Sequence, residues 1–276
     1  MAIGAFSFSL GSVFIKMAGT RLPALEVVFA RSSFMGVYCY VLARRAGADI
    51  PGHNIRLLSL RGVLAFTAYT GVFYSVIHLP LADALVIVHS FPLIVPVLAA
   101  FFLREKLEKL TLACTILGAS GLLLVTKPGF LFGDISRLES LAVAAAITAA
   151  LAAGFSIICI RKLTATEHPL VIVLYAAIIS SVGAPLLDGW NWLLPTGYET
   201  LLLLGVGLFM SLGQHLITMG ISRSTAARAS IFFYLEVVFA AFLGYFFFQE
   251  IPDKLTILGA AIIIASAALT GIKRHR

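Results

Sequence analysis

Ten apolar stretches, each about long enough to cross a lipid bilayer, take up nearly the whole of a 276-residue chain. A crossing helix needs about 20 apolar residues, with a working range of roughly 17–25. The stretches run at 2–18, 23–43, 57–78, 81–103, 109–126, 138–160, 168–187, 199–221, 225–248 and 255–272. Lipid offers the backbone no hydrogen-bond partners, and a helix satisfies its own N–H and C=O groups within one segment. Composition agrees: 60% of residues are hydrophobic and 12% are charged, against roughly 45–50% and about 25% in soluble domains. The expected fold class is all-α, a polytopic membrane protein with ten transmembrane helices. Between the third and fourth spans only Leu79-Pro80 intervenes, and proline there ends one helix and permits a tight hairpin.

Charge then sets orientation. Short cytoplasmic connections carry an excess of Lys and Arg. With the N-terminus placed inside, the inner set is Arg44, Arg45, Arg56, Arg104, Lys106, Lys109, Arg161, Lys162, Arg223, Lys273, Arg274 and Arg276. The outer set is Arg21, Lys127, Arg137 and Lys254. That bias predicts both termini in the cytoplasm, in a plasma membrane or bacterial inner membrane. Trp190 and Trp192 then fall in an outer interfacial belt. The net charge of +7 comes from these connections, and no basic helix face or RNA-binding motif is present, so nucleic acid is not an expected partner. Met1 runs into the first span with no basic n-region, so no cleavable signal peptide is expected. Cys39, Cys114 and Cys159 lie in apolar segments without metal-ligand spacing and read as small buried hydrophobes.

The halves also repeat. A shift of 145 residues lays Glu105-Lys106-Leu107-Glu108-Lys109-Leu110-Thr111 on Glu250-Ile251-Pro252-Asp253-Lys254-Leu255-Thr256. The same shift lays Phe101-Phe102 on Phe246-Phe247, Gly62 on Gly207 and Lys16 on Arg161. Residues 1–127 are thus expected to form one five-helix repeat, 128–137 a connecting loop and 138–276 the second repeat. An odd number of spans places the second copy upside down. Inverted repeats put a substrate site near the midplane, and rocking of one half against the other gives alternating access.

These motifs carry a resemblance. Gly11-Ser12-Val13-Phe14-Ile15-Lys16, Pro23 to Arg31, Leu81-Ala82-Asp83-Ala84 onward to Lys106, and Tyr234-Leu235-Glu236-Val237-Val238-Phe239-Ala240-Ala241 followed by Glu250 resemble the drug/metabolite transporter superfamily in its ten-helix EamA form. Val237 stands where many members carry proline. Arg61-Gly62-Val63-Leu64, the run Lys127 to Gly133, and Gly213-Gln214 are similar to the G subgroup of solute-carrier family 35. The resemblance covers essentially the whole chain. It implies a transporter of small metabolites, and export of organic anions such as carboxylates.

Ionisable side chains inside spans are candidate site residues, because a charge at a helix centre costs about 2.5–3.5 kcal/mol on insertion scales and normally faces the bundle interior. Arg31 lies near mid-depth in the second span. It reads either as a clamp for carboxylate or phosphate or as an internal partner for Glu236 or helix carbonyls. Glu236, near the middle of the ninth span, reads as that partner, a cation site or a proton carrier. His89, mid-way along the fourth, reads as a proton-exchanging imidazole or an interior hydrogen-bonded histidine. It falls on Tyr234 under the shift, and Phe91 and Pro92 follow it, a proline that can open a cavity. Gln214 and His215 are the polar spot of the eighth span, and Tyr74 and Tyr175 are possible pore linings. Lys16, Glu26 and Asp83 lie near outer ends, where the acids can neutralise the lysine and shape a gate. Arg228 and Arg61 lie near inner ends, as interfacial anchors first and gate charges second.

Catalytic signatures are missing: no HExxH, GxSxG, Walker A or paired aqueous carboxylates occur. An intramembrane enzyme or a receptor has no nucleophile and base to rest on. No cofactor or metal is expected. The partners are the bilayer, a small metabolite and a coupled proton or exchanged metabolite. An organic anion is favoured by Arg31 and Lys16; a neutral, zwitterionic or cationic substrate would instead use Glu236 and the aromatics.

Overall fold

The computed structural model describes residues 1–18, 21–79, 81–129, 139–188, 192–249 and 251–272. Pro80, the run 130–133, Arg137, Trp190, Glu250, Lys273, Arg274 and Arg276 lie outside these residues. The described chain is helices and connections, with no strand among the described residues. The helices are α1 (Ala2–Ala18), α2 (Ala24–Arg45), α3 (Ile55–His78), α4 (Leu81–Val88), α5 (Phe91–Leu103) and α6 (Lys109–Thr126). They continue with α7 (Ser140–Leu163), α8 (Pro169–Asp188), α9 (Gly197–Ser222), α10 (Ala226–Ile231), α11 (Tyr234–Phe248) and α12 (Lys254–Ile272).

The fourth and ninth spans are corrections to the reading from sequence. Each was expected as one helix, and each is broken. At the first break Ser90 N–H donates to Ile87 C=O at 3.2 Å and Leu93 N–H to Ser90 C=O at 2.9 Å. These i→i−3 bonds tighten the turn, and Pro92, in the first turn of α5, has no N–H to continue the ladder. At the second break Phe233 N–H donates to Ser230 C=O at 3.1 Å and Leu235 N–H to Phe232 C=O at 3.2 Å. No proline is present there, so tertiary packing sets that break. Both broken spans end on a left-handed residue, Arg104 at φ 54° and Gln249 at φ 55°.

Helices pair mainly across the chain's two parts: α1 with α9 and α11, α2 with α8 and α9, α3 with α7 and α8, α5 with α7, and α6 with α12. Lipid is as apolar as leucine, so close packing of small residues draws such helices together. A Cβ added at Gly121 would lie 2.7 Å from the Gly259 carbonyl, and one at Gly259 would lie 2.6 Å from the Gly121 carbonyl. A Cβ at Gly62 would meet Ile179 at 2.4 Å, and one at Gly207 would meet Phe34 at 2.6 Å. The offset of 145 that relates Gly62 to Gly207 also relates Phe34 to Ile179. The outer surface carries large apolar side chains such as Phe101, 79% exposed, and Leu186, 75% exposed. Such a surface is stable only against lipid.

Met1 lies beside Gly220, and Arg161 donates to the Ser222 carbonyl. The start of the chain, Arg161 and the end of α9 therefore share one end of the bundle, hereafter the basic end. Arg21 and Glu199 meet at the opposite end.

Candidate substrate site

Two polar clusters occupy the interior. The first lies between α2, α3 and α9. Arg31, 4% exposed, places its guanidinium 4.0 Å from the centre of the Tyr69 ring, a cation–π contact. Its Nε is enclosed without a hydrogen-bond acceptor. The Tyr69 hydroxyl donates to Gln214 Oε1 at 3.3 Å, and Gln214 Nε2 donates to Thr218 at 3.4 Å. One residue on, His215 Nδ1 lies 3.3 Å from the Tyr38 hydroxyl.

Arg61 belongs to the same cluster, which corrects its reading as an interfacial anchor. It is 1% exposed, and its Nε and Nη1 have no acceptor. The titratable groups that act on it are Tyr69, Cys159, Arg31 and Cys39. An anchoring arginine reaches for the headgroups; this one turns into the bundle.

The second cluster sits at the two helix breaks. His89 lies in the gap between α4 and α5, not mid-helix, and Glu236 lies in the first turn of α11. Their side chains approach at 3.9 Å, His89 Nε2 to Glu236 Oε2. Arg31 therefore does not have Glu236 as its partner: the expected pairing is replaced by His89–Glu236 and Arg31–Tyr69. α10 packs on α5, and the break that follows α10 brings Glu236, in the first turn of α11, beside His89. Phe91 packs edge-on against Phe233 at 5.0 Å, and Ser9 of α1 donates to the Glu236 carbonyl at 2.8 Å. Tyr234 is fully buried, with its hydroxyl unpartnered and its ring against Gly118.

Charged residues lace both ends. At the basic end Glu105 accepts from Arg161 Nε at 3.2 Å and from the Ala226 N–H at 3.0 Å. Arg228 donates to both oxygens of Glu108 at 2.6 Å, so it ties α10 to the connection before α6. At the opposite end Arg21 donates to Glu199 at 2.7 and 2.6 Å, which raises the guanidinium above its ordinary pKa. Glu26 accepts from the Leu193 N–H at 3.1 Å and faces Arg21 rather than Lys16. Lys16 Nζ lies 4.1 Å from the centre of the Phe248 ring. Asp83 is buried against Gly129. Lys127 pairs with Asp253, and that hydrogen bond, followed by those from the Thr256 N–H and hydroxyl, holds the Asp253 carboxyl well below its ordinary value. Trp192 packs on Phe29 at 4.7 Å.

Two of the tyrosines lie apart. The Tyr175 hydroxyl donates to the Pro51 carbonyl at 2.7 Å and fastens the connection after α2. Tyr74 stacks on His78 at 4.1 Å and lines an apolar lateral cavity of about 500 Å³ with Phe66, Thr70 and Leu141. The reading from sequence passed over Tyr69 and misplaced Arg61. Their spacing, eight residues on one helix, is a little over two turns, a signal that was available. Among the described residues no group of His, Cys, Asp and Glu is arranged to hold a metal.

Buried charges beside broken helices, inside a bundle faced with lipid-contacting side chains, define a membrane transporter. The chain belongs to the EamA-like transporter family, which matches residues 1–127 and 140–272. It is 34% identical over 276 residues to the pseudopaline exporter CntI of Pseudomonas aeruginosa, covering 99% of this chain and 95% of that one. It is 30% identical to human solute carrier family 35 member G1, covering 99% of this chain and 78% of that one. The S-adenosylmethionine uptake transporter of Rickettsia felis is 32% identical, with coverage of 94% and 86%. A crystal structure at 16% identity has the same fold, with a TM-score of 0.85 over 98% of this chain and 95% of that chain. The protein is a multi-pass membrane transporter of small metabolites and not an enzyme.

Proposed function

We propose that the protein moves a small organic anion, such as a carboxylate, across the membrane by alternating access between two inverted five-helix repeats. The observation that carries this reading is Arg31: buried, permanently charged, and without a carboxylate partner among the described residues. A side chain that costs so much to bury is retained where a ligand completes it. The paired contacts Gly62–Ile179 and Gly207–Phe34, related by one offset, support the repeat, with 1–127 and 138–276 as its copies. The Lys and Arg bias supports a cytoplasmic location for the basic end. Arg31 binds the acid, Gln214 and His215 orient the rest, and Phe91 and Tyr234 close the apolar side. Lys16, Glu26, Asp83 and Arg228 shape the mouths.

A second reading has one observation in its favour. Glu236 is held by a histidine, not by a permanent cation, so it is available to a cationic or zwitterionic substrate such as an amino acid or nucleoside-type metabolite. Reconstituted protein separates the two. Uptake of a radiolabelled carboxylate into proteoliposomes is expected to vanish in Arg31→Ala while the variant elutes and melts as a folded protein. Normal uptake by Arg31→Ala, or competition by cations alone, sinks the anion reading.

A further inference from the structure

We infer that the site takes a substrate with two acidic groups, held by Arg31 and Arg61, the two buried cations beside Tyr69. The inference rests on the anion reading above and adds a second cation to it. Both guanidinium groups bear on the Tyr69 phenol, and they repel one another. Each has donors enclosed without an acceptor: Arg31 Nε, Arg61 Nε and Arg61 Nη1. No carboxylate among the described residues pairs with either. The other groups near Arg61 are the thiols of Cys39 and Cys159, which cannot balance a full charge while protonated.

Two like charges inside one helical bundle call for two opposite ones. A monocarboxylate neutralises one arginine and leaves the other as it was. A dicarboxylate, or a carboxylate joined to a phosphate, neutralises both and offers each guanidinium its planar two-pronged contact. The geometry gives the substrate a direction. Arg31 and Tyr69 each lie fourteen residues from the basic-end terminus of their helices, Arg45 and Ile55. They therefore share one depth. Arg61 lies eight residues nearer that end than Tyr69, about 12 Å at 1.5 Å per residue, and its side chain spans much of the difference. One acid group thus sits at Arg31 and the second points toward the basic end, along the transport path.

The experiment uses the full chain purified in detergent. Its thermal midpoint is followed with butyrate, succinate, glutarate and citrate at matched ionic strength, with sodium chloride as the reference. A ligand that binds the folded state alone raises the midpoint through RT ln(1 + [L]/Kd). At least one of the multiply charged acids is expected to act at concentrations tenfold or more below butyrate. Arg61→Gln is expected to cut that preference to within about twofold, as one charge contact is lost. Arg61→Lys keeps the charge and retains the preference, weakened. Should Arg61→Gln fail to fold, the wild-type comparison and Arg61→Lys decide. Equal responses to butyrate and every diacid overturn the inference and leave the anion reading standing. They would mean that one charge suffices. An undiminished preference in Arg61→Gln overturns it as well. No response to any of the acids, together with normal transport by Arg31→Ala, removes both readings.

Discussion

An arginine inside a span cannot escape its charge by losing a proton, so its neighbours must be arranged around it. Arg31 has the face of Tyr69, and Arg61 has the phenol and two thiols. Arg31 was legible in the sequence because a charge at mid-span has nowhere else to go. Arg61 was not, since six residues from a helix start its depth alone allows the side chain to turn either way. The partner of Glu236 was illegible for another reason: it depends on where α11 begins, and the apolar run 225–248 conceals that. The pair that did form makes its own prediction. His89 and Glu236, an imidazole and a carboxylate 3.9 Å apart, are the interior pair to test for a coupled proton. Glu236→Gln is expected to flatten the pH dependence of proteoliposome transport, with substrate affinity changed by less than a few-fold. A profile unchanged in Glu236→Gln means that the pair carries no proton.

At the scale of helices, the ends of the spans were readable, because hydropathy changes sharply there. The breaks were not. Pro92 gave a local signal for the first, since it removes a donor from the ladder. The second, at Phe232-Phe233, has only helix-compatible residues around it and is set by contacts with α1, α5 and α6. Helix pairing was legible only where small residues mark it, and α6 with α12 is the clearest case. Gly121 and Gly259 each bring backbone against backbone, so the contact has no flexible side chain that can yield. Gly121→Leu is expected to destabilise the fold by about 1–3 kcal/mol, the usual cost of overpacking, seen as a lower thermal midpoint and a loss of monodisperse protein. Gly197→Ala, where an added Cβ meets nothing within 4 Å, is the matched control and leaves both unchanged. If Gly121→Leu melts like the wild type, α6 and α12 are not locked by that approach.

For the molecule as a whole, transport by rocking requires that the polar contacts closing one end give way while those at the other hold. The basic end is closed by residues of both parts. Glu105 and Glu108 come from the connection after α5, whereas Arg161, Ser222, Ala226 and Arg228 come from α7, α9 and α10. Glu105 is the hinge of this arrangement, because it holds a side chain and a helix N-terminus at once. Charge-assisted bonds of this kind contribute about 1.5–3 kcal/mol each, and 1.4 kcal/mol is a factor of ten in population. Glu105→Gln keeps the shape of the side chain and removes its charge, so it shifts the balance toward conformers open at the basic end by roughly tenfold. A cysteine placed by Ser222→Cys reports this. The native Cys39, Cys114 and Cys159 are buried, and labelling by a membrane-impermeant maleimide added on the side of the basic end reads the new thiol. Its rate is expected to rise several-fold in Glu105→Gln, and to rise further when Arg161 is also neutralised by Arg161→Gln only if the two residues act against something other than each other. As partners, they instead give a double variant no faster than Glu105→Gln alone. A rate indifferent to Glu105→Gln would place the closing contact elsewhere, with Arg228 and Glu108 the next pair to cut.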